Sequence, residues 1–286
     1  MKIPKLLVSC AVTLLTLQSV HAQSPSAAFD TTHYGRNEKT GHFVKTRGFN
    51  MYYEVYGSGT PLLFIHGNGG SINNFLYQIP YFAKKYKVIL ADSRAQGKSV
   101  DNGDSLSYGM MADDLNALLD SLGVDSCDVV GWSDGGINGL LLAIRHPDKV
   151  KKLAVTGANL TPDTAAVDPF VVRWAFHLND TLAGMPTTPK IKNERKLAHL
   201  LSYEPHITLA QLHTIRCPVL VIGGDHDVIR PQHTLLIFQN IPKAYLWILP
   251  DSGHSTPVFY KDRFNEVVGD FFAKPYRKIE GFARFR

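Results

Sequence analysis

The sequence predicts an α/β domain built on a mostly parallel, doubly wound sheet. Three observations predict it. Short, fully apolar runs recur along the chain and stop abruptly at Gly, Asp or His, as strands buried on both faces do. Helical stretches separate these runs, which is the alternation of βα units. The chain is long enough for one large domain: 286 residues, 44% hydrophobic and 19% charged, with ample apolar material for a core. The same composition excludes collagen-like, low-complexity and wholly disordered chains.

In chain order, residues 1–22 read as a secretory signal peptide. Lys2 and Lys5 form a positive start, residues 6–17 an apolar stretch, and Val20-His21-Ala22 suits cleavage before Gln23. The apolar run is too short and too interrupted by Ser and Thr for a membrane span. The chain is therefore expected to be exported, periplasmic or secreted, with no stable membrane insertion after cleavage near Ala22. Residues 23–41 are polar and read as a flexible lead-in. Residues 43–45 and 49–56, joined at Arg47-Gly48, predict an antiparallel hairpin. The apolar runs 62–65, 88–91, 129–130, 153–155, 219–222 and 244–249 predict the buried strands.

Residues 107–122 place Met110, Met111, Leu115, Leu118, Leu119 and Leu122 largely on one helical stripe. Residues 136–146 are nearly all apolar, as a helix packed on a sheet is, and Pro147 stops them. A closing helix is expected over 262–272. Between Asn159 and Thr214 the alternation lapses. Helical patches at 171–182 and 191–203, broken by prolines, predict a small helical cap inserted into the core. The expected plan is a first core part over 42–158, the cap over 159–214, a second core part over 215–273, and a basic, disordered tail over 274–286.

The formal charge is +5 and the pI about 9.0, yet the charge is unevenly placed. Residues 1–22 hold +2 and the tail +4, which leaves 23–273 at −1. The body is not basic, so a nucleic-acid partner is excluded on charge. Cys10 leaves with the signal. Cys127 and Cys217 open strands that a third strand should separate, putting them about 9.6 Å apart, beyond the roughly 7 Å limit for a disulfide. Two buried free thiols are expected, and no Cys or His spacing predicts a metal site. No cofactor is expected, and the sequence leaves the oligomeric state open.

The chemistry gathers at predicted strand ends. Gly131-Trp132-Ser133-Asp134-Gly135-Gly136 matches G-x-S-x-G between a strand and a helix. A serine on so sharp a turn has strained backbone angles, and glycines two residues to either side relieve the crowding. A serine hydroxyl is a weak nucleophile that needs a base held by an acid. Downstream, Gly223-Gly224-Asp225-His226-Asp227 follows one strand and Asp251-Ser252-Gly253-His254 another. The order Ser133, Asp227, His254 fits the strand-edge arrangement. Asp225 competes for the acid role, with Asp227 preferred because it lies further into the loop. His226 and His233 are rivals to His254 for the base.

Acyl transfer also needs donors for the developing oxyanion. The Asp134 N–H at a helix start is one. The turn His66-Gly67-Asn68-Gly69-Gly70 supplies the other, through the Asn68 N–H. Trp132 and Trp174 are candidate substrate contacts, with Phe176 as a further candidate for lining an acyl pocket. Asp134 has two readings: its carboxylate attracts a substrate ammonium, or it serves the positive end of its own helix. Asp113 and Asp114 read as a solvated face or as loop-bonding carboxylates.

These residues carry a resemblance. The segments Phe64-Ile65-His66-Gly67, Asp92-Ser93-Arg94-Ala95-Gln96-Gly97-Lys98-Ser99, Gly131 to Gly136, Cys217-Pro218-Val219-Leu220 and Gly253-His254 resemble the α/β-hydrolase family over roughly residues 42–273. Ala95 departs from it, standing where the family has glycine. Gly131 to Gly136 with Gly157-Ala158-Asn159 is similar to the biphenyl-hydrolase-like or valacyclovir-hydrolase group, serine hydrolases acting on α-amino-acid esters. The resemblance implies an α/β-hydrolase fold and a small-molecule ester or lactone substrate. Ser133 at the elbow argues against the carboxylate-nucleophile dehalogenases and epoxide hydrolases of the same fold. Carbon–carbon bond hydrolase, peroxidase-type and non-catalytic ligand-binding members remain alternatives.

Overall fold

A computed structural model describes residues His33–Arg286. The predicted signal peptide and residues 23–32 of the lead-in lie outside the described residues. The strands are β1 (Gly41–Thr46), β2 (Phe49–Tyr56), β3 (Thr60–Ile65), β4 (Tyr86–Ala91), β5 (Cys127–Trp132), β6 (Val150–Thr156), β7 (Val219–Gly224) and β8 (Ala244–Leu249). The helices are α1 (Ile79–Phe82), α2 (Tyr108–Ser121), α3 (Asp134–Arg145), α4 (Pro169–Ala183), α5 (Pro189–Tyr203), α6 (Leu209–Leu212), α7 (Pro231–Gln239), α8 (Thr256–Phe259) and α9 (Lys261–Ala273).

The eight strands form one sheet in the order β1-β2-β4-β3-β5-β6-β7-β8. β1 and β2 are antiparallel, as is β2 against β4, and every other pairing is parallel. The fully apolar runs have a simple cause. Side chains alternate across a strand, and both faces here are covered. Leu62, Phe64, Val88, Leu90, Leu220 and Ile222 join one core with Phe82, Phe264 and Val268. Leu63, Ile65, Ile89, Val129, Val219 and Val221 join the other with Met111, Leu115, Leu118 and Leu140.

α2 starts at Ser107, whose side chain accepts the Met110 N–H. It buries the predicted stripe at Met111, Leu115, Leu118 and Leu119. Gly123, at φ 62°, follows its end. α4, α5 and α6 fill the stretch between β6 and β7 where alternation lapses. The sequence reading missed the short helices α1, α6 and α8, and two further features that bear on the site. One is α7, whose buried side chains include polar His233 and Thr234, so its apolar periodicity is weak. The other is a short pairing of the inserted segment with the β7–α7 loop: Val167 bridges Ile229, the Asp168 N–H donates to Val228 O, and the Arg230 N–H donates to Ala166 O.

Both ends of the described chain are more ordered than expected. Glu54, fully buried, accepts the N–H groups of Gly35 and Asn37 at 2.9 Å each and the hydroxyls of Tyr52 and Tyr56 at 2.7 Å each. That carboxylate pins residues 35–37 of the lead-in to the hairpin. At the other end, Tyr276 stacks near Tyr245, whose hydroxyl also bonds the Arg277 backbone. The tail is therefore tied down at Tyr276 and Arg277, while Ile279 and, in the last turn Gly281–Phe285, Phe282 and Phe285 are exposed. Cys127 and Cys217 are buried free thiols on β5 and before β7, with β6 between those strands, as their spacing requires. Burial pushes both thiols up to about 12.

Candidate active site

Parallel strands present their carboxyl ends at one sheet edge, and loops from several strands meet there. The loop after β5 carries Ser133, that after β7 carries Asp227, and that after β8 carries His254. Ser133 has φ 58° and ψ −123°, a left-handed conformation that a non-glycine residue adopts only when its surroundings enforce it. The flanking glycines explain how. A Cβ on Gly131 would stand 2.2 Å from Gly135 O, and one on Gly135 would stand 1.9 Å from Ile65 O. The strand-to-helix turn closes only without those side chains.

The structure brings the three predicted residues together. His254 Nε2 lies 2.9 Å from Ser133 Oγ, and His254 Nδ1 lies 2.7 Å from Asp227 Oδ1. With Nδ1–H donating to the carboxylate, the Nε2 lone pair faces the serine hydroxyl. Asp227 is buried and also accepts the Ile229 N–H at 3.0 Å, which fixes its rotamer. Asp225 instead pairs with exposed His226 and accepts the Ser252 N–H. His233 is buried on α7, where Nε2 accepts the Leu160 N–H, and burial lowers its pKa. Neither rival histidine and not the rival aspartate reaches Ser133.

The turn after β3 lies against the elbow: a Cβ on Gly67 would be 3.0 Å from Ser133 Cβ. His66 holds this turn. Its Nε2 accepts the Ser93 N–H at 2.9 Å, so Nδ1 carries the proton and donates to Gly67 O at 2.8 Å. Burial keeps this imidazole neutral by lowering its pKa. Neither the Asn68 N–H nor the Asp134 N–H donates to an acceptor among the described residues. Both are thus free for a ligand oxygen, and the latter opens α3.

A cavity of about 380 Å³ opens onto Ser133 and His254. Trp132 and Trp174 both line it, as predicted contacts. Trp132 is fixed by a 2.9 Å bond from its indole N–H to His254 O. Trp174 is half exposed on α4. Phe176 does not reach the cavity and packs edge-on against Tyr203 instead, because two residues along a helix point to different faces. Asp134 is buried and lines the cavity. It is the first residue of α3, at the positive end of that helix, and its carboxylate is bonded by Asn68 rather than by an α3 N–H. Asn68 Nδ2 donates to Asp134 Oδ2 at 2.9 Å and to Leu197 O of α5 at 3.2 Å. Burial pushes the Asp134 carboxyl up to about 6, against the opposing pull of Asn68, the Tyr108 hydroxyl and His254.

Sequence spacing did not reveal Tyr108, Glu204 or the Asn68 side chain as cavity features, because each arrives from an element distant in sequence. Asp114 proves loop-bonding: fully buried, it accepts two bonds from Arg94 at 2.6 and 2.7 Å. Asp113 pairs with Arg145 at 2.8 Å. Among the described residues, no group of three His, Cys, Asp or Glu side chains is placed to hold a metal ion.

Sheet order, elbow and carboxyl-edge cavity are those of the α/β-hydrolase fold. Residues 60–186 match the family model described as alpha/beta hydrolase fold. The chain is 29% identical over 271 residues to the 2-hydroxymuconate semialdehyde hydrolase of Pseudomonas sp. (strain CF600), covering 82% of this chain and 94% of that protein. It is 26% identical over 267 residues to the human serine hydrolase BPHL, covering 86% and 89%. Among solved structures it is similar to Est816, described as an N-acyl homoserine lactone degrading enzyme, at 26% identity with a TM-score of 0.66, covering 80% of this chain and all of that one.

Proposed function

We propose that this protein is an exported serine hydrolase that cleaves small carboxylic esters, esters of α-amino acids among them, through an acyl-enzyme. The observation that carries the reading is the continuous relay from Ser133 Oγ through His254 to Asp227 Oδ1 at 2.9 and 2.7 Å. Ser133 Oγ attacks the ester carbonyl carbon while His254 Nε2 takes its proton. Asp227 holds the imidazole and offsets the charge of the imidazolium. The Asn68 and Asp134 N–H groups receive the oxyanion, each such donor lowering the barrier by about 3–4 kcal/mol. His254 then protonates the leaving alkoxide, and the acyl group stays on Ser133. Water, deprotonated by His254, attacks the acyl-enzyme and releases the acid.

Asp134 supports the amino-acid-ester reading over a capping role. It lines the cavity beside the nucleophile, and its carboxylate accepts from Asn68 of the oxyanion turn rather than from an N–H of its own helix. A carboxylate about 6.5 Å from a substrate ammonium attracts it by about 2.5 kcal/mol at an effective dielectric of about 20. The names of the relatives span a serine hydrolase, a lactone-degrading enzyme and a 2-hydroxymuconate semialdehyde hydrolase, so a substrate panel decides. A fluorophosphonate probe should label the protein, and labelling should vanish in Ser133→Ala. Activity on p-nitrophenyl, lactone and amino-acid esters should fall by at least about 10⁴-fold in that variant. Folded wild-type protein that resists the probe and turns over no ester would overturn the reading in favour of ligand binding alone.

A further inference from the structure

The cavity has an uneven charge inventory. Its titratable lining residues are Tyr108, Asp134, Glu204 and His254, and no Lys or Arg lines it. Neither Asp134 nor Glu204 forms an ion pair with another described residue. Asp134 is nine-tenths buried or more, so its charge lies out of water without a protein counter-ion. A substrate cation offsets that cost.

Glu204 ends α5 on the inserted segment and reaches across to the core. Its Oε2 accepts the Tyr108 N–H at 3.1 Å, while its Oε1 accepts no bond from any described residue. Tyr108 spans the distance between the two acids: its backbone N–H holds Glu204, and its hydroxyl lies beside Asp134. The carboxylates therefore stand about one tyrosine side chain apart. Between the α4 and α5 flanks the cavity wall is apolar, with Val171, Val172, Ala175 and Leu201. An acidic point near the nucleophile, an apolar wall and a second acidic point match a chain with an ammonium at its start, methylenes in the middle and a cation at its end.

We propose that the acyl pocket selects esters of basic α-amino acids, with the α-ammonium at Asp134 and the side-chain cation at Glu204. This rests on the amino-acid-ester reading above. Glu204 is then a specificity residue in addition to holding the start of α2, and the two roles separate experimentally. Glu204→Gln keeps an oxygen to accept the Tyr108 N–H and removes the charge.

The test compares L-lysine methyl ester with L-norleucine methyl ester, which has the same chain without the terminal ammonium. Wild type should favour the lysine ester by about tenfold or more in kcat/KM, and Glu204→Gln should bring that ratio down by about tenfold. A wild-type ratio at or below one overturns the proposal whatever the variant does, and so does a ratio that Glu204→Gln leaves unchanged while probe labelling of Ser133 shows the variant folded. If neither ester is hydrolysed, the ester reading fails, and protection of Ser133 from the fluorophosphonate decides the pocket. Stronger protection by lysinamide than by norleucinamide, lost in Glu204→Gln, upholds the dicationic pocket. Equal protection by the two amides overturns it.

Discussion

Ala95 sits at φ 66°, a left-handed conformation in which its Cβ crowds the neighbouring carbonyl. Its own carbonyl accepts a bond from Asn193 on α5, so the turn is held in place and the strain persists. Ala95→Gly should therefore stabilise the protein by about 1 kcal/mol, read as a higher urea midpoint at unchanged slope. Asp134 illustrates a different conflict, between stability and function. Its folded carboxyl is raised to about 6 from an ordinary 3.8, so the folded state binds the proton more tightly than the unfolded chain. That contribution is fully present below pH 3.8 and is lost as pH rises through about 6. Asp134→Asn should then be more stable than wild type by on the order of 2–3 kcal/mol at pH 7.5, with the difference gone below about pH 4. The same variant should lose its preference for amino-acid esters over neutral esters, and wild type should show that preference growing as pH rises through about 6. Equal loss on both ester classes would leave Asp134 no ammonium role. At this scale Ser133 was legible because a strained turn demands glycines at fixed spacing. Asp227 was preferred over Asp225 from its place further into the loop, and the loop's path brings Asp227, not Asp225, to His254.

Elements held the parts that spacing could not forecast. The strands were legible because burial on both faces leaves continuous apolar runs, and α2 because its stripe has the helical period. α7 was not, since it buries polar side chains. Nor was the attachment of α5, which depends on contacts across about 95 residues of sequence. Lys196 is buried on that helix and donates to Asp101 Oδ2 at 2.7 Å and to Gly103 O at 3.1 Å. Arg94 donates to Asp101 as well, and also to Asp114 on α2. This chain of charges joins the inserted segment to the core, close to where Asn68 meets Leu197 O. Removing Lys196 leaves the buried Asp101 side chain with Arg94 as its one cationic partner among the described residues and takes the Lys196 bond from the Gly103 carbonyl. Lys196→Ala should cost about 3 kcal/mol of unfolding free energy, measured by denaturant titration. A loss well under 1 kcal/mol would mean that the network contributes little to seating α5.

Across the whole molecule, the basic pI dissolves into local charges. The described tail is tied back by Lys152, which donates to the carbonyls of Phe271, Phe272 and Lys274, and by Tyr245. The export reading rests on residues 1–22 and predicts that the protein recovered from the secreted or periplasmic fraction begins at Gln23, as its intact mass would show. Full-length mass with Met1 retained in that fraction would contradict cleavage near Ala22.

Sequence by itself determined the fold class, the elbow serine and the histidine, because these follow from local rules: side-chain alternation, helical period and the sterics of a tight turn. Only the tertiary structure decided what the cavity is. Tyr108, Asp134, Asn68, Trp174 and Glu204 come from five separate segments, and their meeting depends on how the inserted helices pack over the sheet edge. Charge inside an enclosed space acts over distances in ångströms, not in residues, so the acidic character of the pocket is invisible in a chain whose body is nearly neutral.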